Sequence, residues 1–209
     1  LKKNYFSKEI LIKDGNTILV AGPIAPDLLT KLEFHEQLIS FRQPEEQKQA
    51  LIEIAELPEG RIIGAIHNNV LVGYITFHFP DPFERWAEGD MDDLLELGAI
   101  EIAKDYRQYG LSKQLMSIAF SDHEMDNFIV ISTEYYWHWD LKTSGLSIWD
   151  YRKVMEKVMN SAGMEYFATD DPEICSHPAN LLMARIGPNV PMESIEKFDN
   201  LRFKNRHMY

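Results

Sequence analysis

The run Arg107-Gln108-Tyr109-Gly110-Leu111-Ser112 places a cation, a glycine and a small hydroxyl residue where the sequence pattern changes. Before it, LLELGAIEIA has the apolar character of a buried strand; after it, LSKQLMSIAF carries apolar residues at helical spacing. A glycine at such a junction can take positive φ and turn successive backbone N–H groups toward one point as an anion nest. The helix that Ser112 and Lys113 begin adds its free N–H groups and the positive end of its dipole, which together favour a diphosphate. Lys104, Arg107 and Lys113 concentrate positive charge in a chain whose 33 acids outnumber its 21 bases. The same short pattern also recurs by chance in ordinary strand-to-helix turns, so its surroundings must decide between the two.

Those surroundings hold two carboxylates, Glu96 and Glu101, in the strand before the glycine. Burial in an apolar run raises a carboxyl toward the range useful to a general base. Five residues apart, the two face opposite sides of a regular strand unless a bulge re-aims one of them. Glu101 is preferred, because it lies nearer the glycine within the otherwise apolar IEIA run.

The elements that must position these groups follow from pattern. EILIKDGNTILVAGP reads as a hairpin turning at Asp14-Gly15-Asn16, and RIIGAI with VLVGYITFHF as a second one turning at His67-Asn68-Asn69. Helices are predicted over PDLLTKLEFHEQLISF and over PEEQKQALIEIAEL, where Pro44 and the acids after it suit a helix start. PDPFERWAEGDMDD reads as a long loop. FIVISTE reads as a buried strand, YRKVMEKVMNSAG as a helix ending on Gly163, and MEYFATD as the strand completing a strand–helix–strand unit. A short helix through HPANLLMARIG, capped by Ser176, and a terminal helix over PMESIEKFDNLRFKNR complete the prediction. This order predicts an α/β domain with a mixed sheet, in which anionic cofactors bind where a helix follows a glycine-containing strand end.

Bulk properties narrow the function classes. The length of 209 residues fits one domain, here 1–209 with a C-terminal helical extension, and long enough to bury a core without metal or disulfide staples. A net charge of −12 argues against nucleic acid and against an anionic membrane surface. Cys175 is the only cysteine, which fits a reducing compartment, and LKKNYFSKEI lacks the apolar stretch of a signal peptide; a cytoplasmic protein is expected. No metal is expected, since Cys175 and His177 have no second ligand pair at matching spacing.

With Arg107 and Gly110 in place, the sequence resembles the GNAT acetyltransferase family, whose acetyl-CoA motif is Q/R-x-x-G-x-G/A between a central strand and a helix; Ser112 stands where Gly or Ala is usual. The phrases LPEGRII, VGYITF, FPDPFERWAEG, DLLELGAIEIA, STEYYWHWDL, DYRKVMEKVMN, FATDDPEI, SHPAN and LMARIG extend the resemblance over nearly the whole chain, to the acetoin-utilisation branch of that family. The resemblance implies a GNAT-type mixed, mostly antiparallel sheet flanked by helices. It implies acetyl-CoA as co-substrate, held by Ile100, Ile102 and Ala103 of the strand and by Arg107, Gln108, Tyr109, Gly110, Leu111, Ser112 and Lys113. Backbone N–H groups near Ile100 to Ile102 are the candidates to polarise the thioester carbonyl. It also implies a protein substrate, acetyl-CoA synthetase, inactivated by acetylation of a catalytic lysine. Glu96 occupies the position where some histone-acetylating members carry a glutamate. The tyrosine that often protonates the leaving thiolate falls on Met159, leaving Tyr136 or Tyr151 as substitutes, with core packing as the alternative role for each.

Other features have two readings each. The segment Glu134 to Asp140, with two Trp and two Tyr, is either a docking wall or core packing. Asp170 to Glu173 reads as a turn and cap or as a contact for the substrate lysine, and the basic tail RFKNRHMY as a solvated helix end or a contact for the CoA 3′-phosphate or an acidic partner patch. Acetylation of a small amine, or acyl-CoA sensing with non-covalent inhibition of a partner, are the competing functions.

Overall fold

Asn68 and Asn69 both adopt positive φ, 51° and 66°. That is the backbone of a two-residue hairpin turn matched to strand twist, and asparagine tolerates it better than most side chains. In the computed structural model, which describes residues 1–13 and 15–204, they join two long antiparallel strands as predicted. Packing divides the chain into two compact units, one of Leu1–His78 with Leu97–Met125 and one of Phe79–Glu96 with Asp126 onward. No helix among the described residues is long and apolar enough to cross a membrane.

The first unit contains β1 (Phe6–Leu11), β2 (Thr17–Gly22), α1 (Pro26–Lys31), β3 (Glu33–Phe34), α2 (Pro44–Glu56), β4 (Arg61–His67) and β5 (Val70–His78). It also takes residues 97–102 of β6 (Leu94–Ile102) and α3 (Leu111–Ala119). Its strands lie in the order β1-β2-β4-β5-β6, with β3 pairing parallel to β5. The first hairpin forms as predicted, with Gly15 at φ 76°; Asp14 of its expected turn lies outside the described residues. Helix α3 lies against β2, β4 and β5, burying Leu111, Leu115, Met116, Ile118 and Ala119.

The helix predicted over PDLLTKLEFHEQLISF is cut short. It ends at Lys31, and Leu32 is already extended at φ −75°, ψ 143°. The backbone of the next residues finds partners in the sheet instead, Glu33 N donating to Asn69 O and His35 N to Leu71 O. Leu29, Leu32 and Leu38 are buried as their spacing suggested, but Leu28 and Ile39 are exposed.

The second unit contains the loop Phe79–Asp93, residues 94–96 of β6, β7 (Ile129–Glu134), α4 (Leu141–Ser144) and α5 (Ile148–Asn160). It ends with β8 (Glu165–Phe167), β9 (Leu181–Ile186) and α6 (Met192–Arg202). Its strand order is β6-β7-β9-β8, with β6 and β7 parallel and the other pairs antiparallel. Ser147 Oγ caps α5 by accepting from Asp150 N, and Gly163 follows the helix at φ 78°. Leu94, Ile129, Ile131, Leu182 and Ala184 form the core, closed by Trp86 from the loop and Phe198 and Leu201 from α6.

The short helix predicted through HPANLLMARIG is instead the strand β9. The strand is six residues long, five of them apolar, a length at which helical and strand periodicity are indistinguishable. Pairing decides it: β9 lies between β7 and β8 and is buried from Leu181 to Ala184. β8 consequently pairs β9 and not β7, so the predicted strand–helix–strand unit has a strand inserted between its two members. The fold class is the predicted mixed α/β arrangement, a mostly antiparallel sheet with flanking helices.

Candidate active site

Strand β6 is buried at both ends and open in the middle. Leu94 to Leu97, Glu101 and Ile102 are buried, Gly98 is exposed, and Ala99 and Ile100 are half-buried. Of the strand residues expected to hold acetyl-CoA, Ala103 has its N–H committed to Val72 O at 2.8 Å. Beyond the strand, a 3₁₀ turn from Lys104 to Tyr109 leads to Gly110 at φ 66°, ψ 27°, and α3 begins at Leu111. The first N–H groups of a helix have no partner within it. No side chain caps these. A Cβ at Gly110 would meet nothing within 4 Å, so the approach on that side is open.

The remaining motif residues divide between scaffold and surface. Buried Leu111 anchors the first turn of α3, while Ser112 is half-buried and Lys113 exposed. Arg107 turns back on the strand end, Nε donating to Ile102 O at 3.3 Å. Gln108 Nε2 donates to Asp105 O at 3.2 Å within the same turn. Tyr109 packs on Tyr106, whose hydroxyl lies 2.8 Å from His67 Nδ1. The turn before Gly110 is thus braced by its own side chains.

The two candidate bases have different settings. Glu101 is 4% exposed, and each of its oxygens meets a donor: Ser40 N reaches Oε1 at 2.7 Å and Tyr74 Oη reaches Oε2 at 2.6 Å. Burial, then the adjoining Glu101 carboxylate, drives the Tyr74 phenol far above its ordinary range, so it remains a donor.

Glu96 is 8% exposed. Burial, then the neighbouring Glu84 and other acids, push its carboxyl up to about 8, against the lowering effect of Thr133. The bond it accepts from Thr133 Oγ1 is long, 3.3 Å. It is also the residue at which the parallel ladder between β6 and β7 ends, paired with Ile131, although both strands run on.

The aromatic segment after β7 splits by role. Trp139 is structural, its indole Nε1 donating to Glu134 Oε2 at 3.0 Å and its ring stacked on Tyr151. Glu134 accepts a second bond from Ser132 Oγ, and burial raises its carboxyl despite both donors. Tyr136 is half-buried, its N–H bonded to Asn180 Oδ1 and its ring 4.3 Å from that of His177. Trp137 stacks on Tyr135 and is 45% exposed. Asp171 caps the following turn, accepting from Glu173 N and Ile174 N. Residues 205–209 of the basic tail lie outside the described residues. Among the described residues no group of three His, Cys, Asp or Glu is placed to hold a metal ion.

Ser40, Tyr74 and Thr133 contact the two carboxylates and were not among the sequence candidates. Thr133 lies in the strand paired with β6, a register signal that could have found it. Ser40 and Tyr74 lie 61 and 27 residues from Glu101, and no local pattern links them.

Residues 29–134 match the acetyltransferase (GNAT) family. The chain is 56% identical to the acetoin utilization protein AcuA of Bacillus subtilis over 207 residues, covering 99% of this chain and 98% of that protein. It is 54% identical, at the same coverage, to the AcuA of Bacillus licheniformis. The crystal structure of an acetoin utilization protein from Exiguobacterium sibiricum superposes with a TM-score of 0.97 at 48% identity, over 100% of this chain and 99% of that one. With a strand, left-handed glycine and uncapped helix in the predicted order, and relatives that match from end to end, the chain belongs to the GNAT family of acetyltransferases.

Proposed function

We propose that this acetyltransferase moves the acetyl group of acetyl-CoA to a catalytic lysine of acetyl-CoA synthetase, inactivating that enzyme in the context of acetoin utilisation. The name of its full-length relatives supports the pathway. The uncapped N-terminus of α3 behind Gly110 supports a diphosphate at the end of β6. Lys104 and Lys113, both exposed, suit the remaining negative charge of CoA.

The observation that carries a catalytic reading is Glu96, a buried carboxyl raised to about 8. A lysine amine, with an ordinary pKa of about 10.4, arrives protonated and must lose a proton before it attacks. We assign that proton to Glu96 and give Glu101 the task of holding the Ser40 segment and Tyr74. The neutral amine then attacks the thioester carbonyl carbon, forming the C–N bond, and the tetrahedral oxyanion is met by N–H donors of β6 near Ile100. Collapse breaks the C–S bond, the nitrogen gives its second proton to solvent, and the departing thiolate is protonated by solvent or by Tyr136, which solvent then reprotonates.

Incubation with acetyl-CoA and purified acetyl-CoA synthetase, followed by mass mapping of lysines, tests the proposal. A single acetylated lysine with loss of synthetase activity is the expected result. Turnover restricted to free amines would replace it with the small-substrate reading. Inhibition without a mass gain would replace it with the acyl-CoA sensor.

A further inference from the structure

Phe83 is 99% exposed, more than any other large apolar side chain among the described residues. It does not sit on a slack loop. Phe83 N donates to Asp81 Oδ1 and Glu84 N to Asp81 O, and the turns continue through Ala87 N to Glu84 O and Asp90 N to Ala87 O. The next residue but one, Arg85, is clamped by Asp170 at 2.5 Å and Asp171 at 3.3 Å, and also reaches the carbonyls of Leu201 and Arg202. Trp86 is buried against Phe198 in the core of the second unit. A loop braced on both sides of one unsupported phenyl ring is preorganised to present it.

The surrounding charge is one-sided. Asp81, Glu84, Asp90, Asp92 and Asp93 share the loop with Glu88, which is paired with Lys204, and with Arg85, whose charge is taken by Asp170 and Asp171. We propose that the loop Phe79–Asp93 docks the acetyl-accepting protein, with Phe83 entering an apolar pocket rimmed by basic residues on that protein. The inference rests on the protein-acceptor reading above and adds the surface that recognises the acceptor. Two acids of this loop, Glu84 and Asp81, act on the Glu96 carboxyl, so the loop borders the proposed base and an acceptor presenting its lysine there meets Phe83. A rigid aromatic anchor supplies affinity, and the acidic rim accelerates encounter with a basic surface.

The test compares Phe83→Ala and Phe83→Leu with the natural protein on two acceptors: purified acetyl-CoA synthetase, and a short peptide carrying the same lysine. Removing a phenyl anchor raises KM for the intact acceptor by about 30-fold, with Phe83→Leu in between. Turnover number, KM for the peptide and melting temperature stay unchanged, since the ring touches solvent. An Asp90→Lys, Asp92→Lys double variant weakens the ionic-strength dependence of the reaction with the intact acceptor. An unchanged KM for the intact acceptor, or an equal loss on the peptide, would overturn the docking role. Failure of the natural protein to acetylate the synthetase at all would instead remove the protein-acceptor reading, and the docking surface with it.

Discussion

Glu96 and Glu101 sit on one strand at nearly equal burial, yet they belong to different chemical settings. Glu101 has a donor for each oxygen, Ser40 N and Tyr74 Oη, both within 2.7 Å. Glu96 accepts a long bond from Thr133 and lies in the field of Glu84, Asp81 and Glu134. What separates the two in structure is their donors: Glu101 is tied to two elements by short bonds, whereas Glu96, with one long bond and other acids around it, has its carboxyl raised to about 8.

The largest effect that can break this comparison is on turnover. Glu96→Gln is expected to lower kcat by about 100- to 1,000-fold while acetyl-CoA affinity measured by calorimetry stays within about twofold. Normal turnover in that variant would return the role to Glu101. The same substitution should reverse sign in stability. Because the folded carboxyl is raised, the native state holds its proton more tightly than the unfolded chain, so Glu96 costs stability as pH rises from the ordinary carboxyl range through about 8. At pH 9, Glu96→Gln should melt above the natural protein, and a lower melting temperature would contradict the uncompensated setting.

Glu101→Gln sharpens the other side. It keeps one acceptor and places an amide against a donor, costing about 1–3 kcal/mol, or roughly 2–10 °C in melting temperature, with kcat reduced less than tenfold. Gly110→Ala tests whether acetyl-CoA binding is separable from proton transfer. At φ 66° an alanine costs about 1–2 kcal/mol, so acetyl-CoA binds roughly 5- to 30-fold more weakly with no change in the pH profile. The smallest effect is expected for Thr133→Val. Loss of its hydroxyl removes a donor that lowers the Glu96 pKa, so the rise of kcat/KM with pH moves upward by about half a unit, and Thr133→Ser restores it.

Legibility from sequence followed the range of the interactions. The turn at Asn68-Asn69, the glycine before α3 and Gly163 after α5 are set by neighbours a few residues apart, and each is readable. Leu181–Ile186 is ambiguous by itself because a short run with five apolar residues satisfies both periods, and only pairing with β7 and β8 chooses. The helix from Pro26 stops because Asn69 O in the hairpin turn and Leu71 O in β5 accept from the residues that follow, which no local propensity records. At the site, both carboxylates were visible as residues, but their settings were not. Those depend on Ser40, Tyr74 and Thr133, reached through the sheet.

The bond from Ser40 N to Glu101 has a further consequence for solvent exchange. Amides in connecting segments ordinarily trade their hydrogens with water quickly, because local opening there costs little. The Ser40 amide can exchange only when a buried carboxylate on β6 lets it go, at 2.7 Å and 61 residues' remove. In a deuterium exchange experiment it should follow the slow amides of β6, not its immediate neighbours in the chain. One amide signal outside the helices and strands then serves as a clock for opening of the strand core.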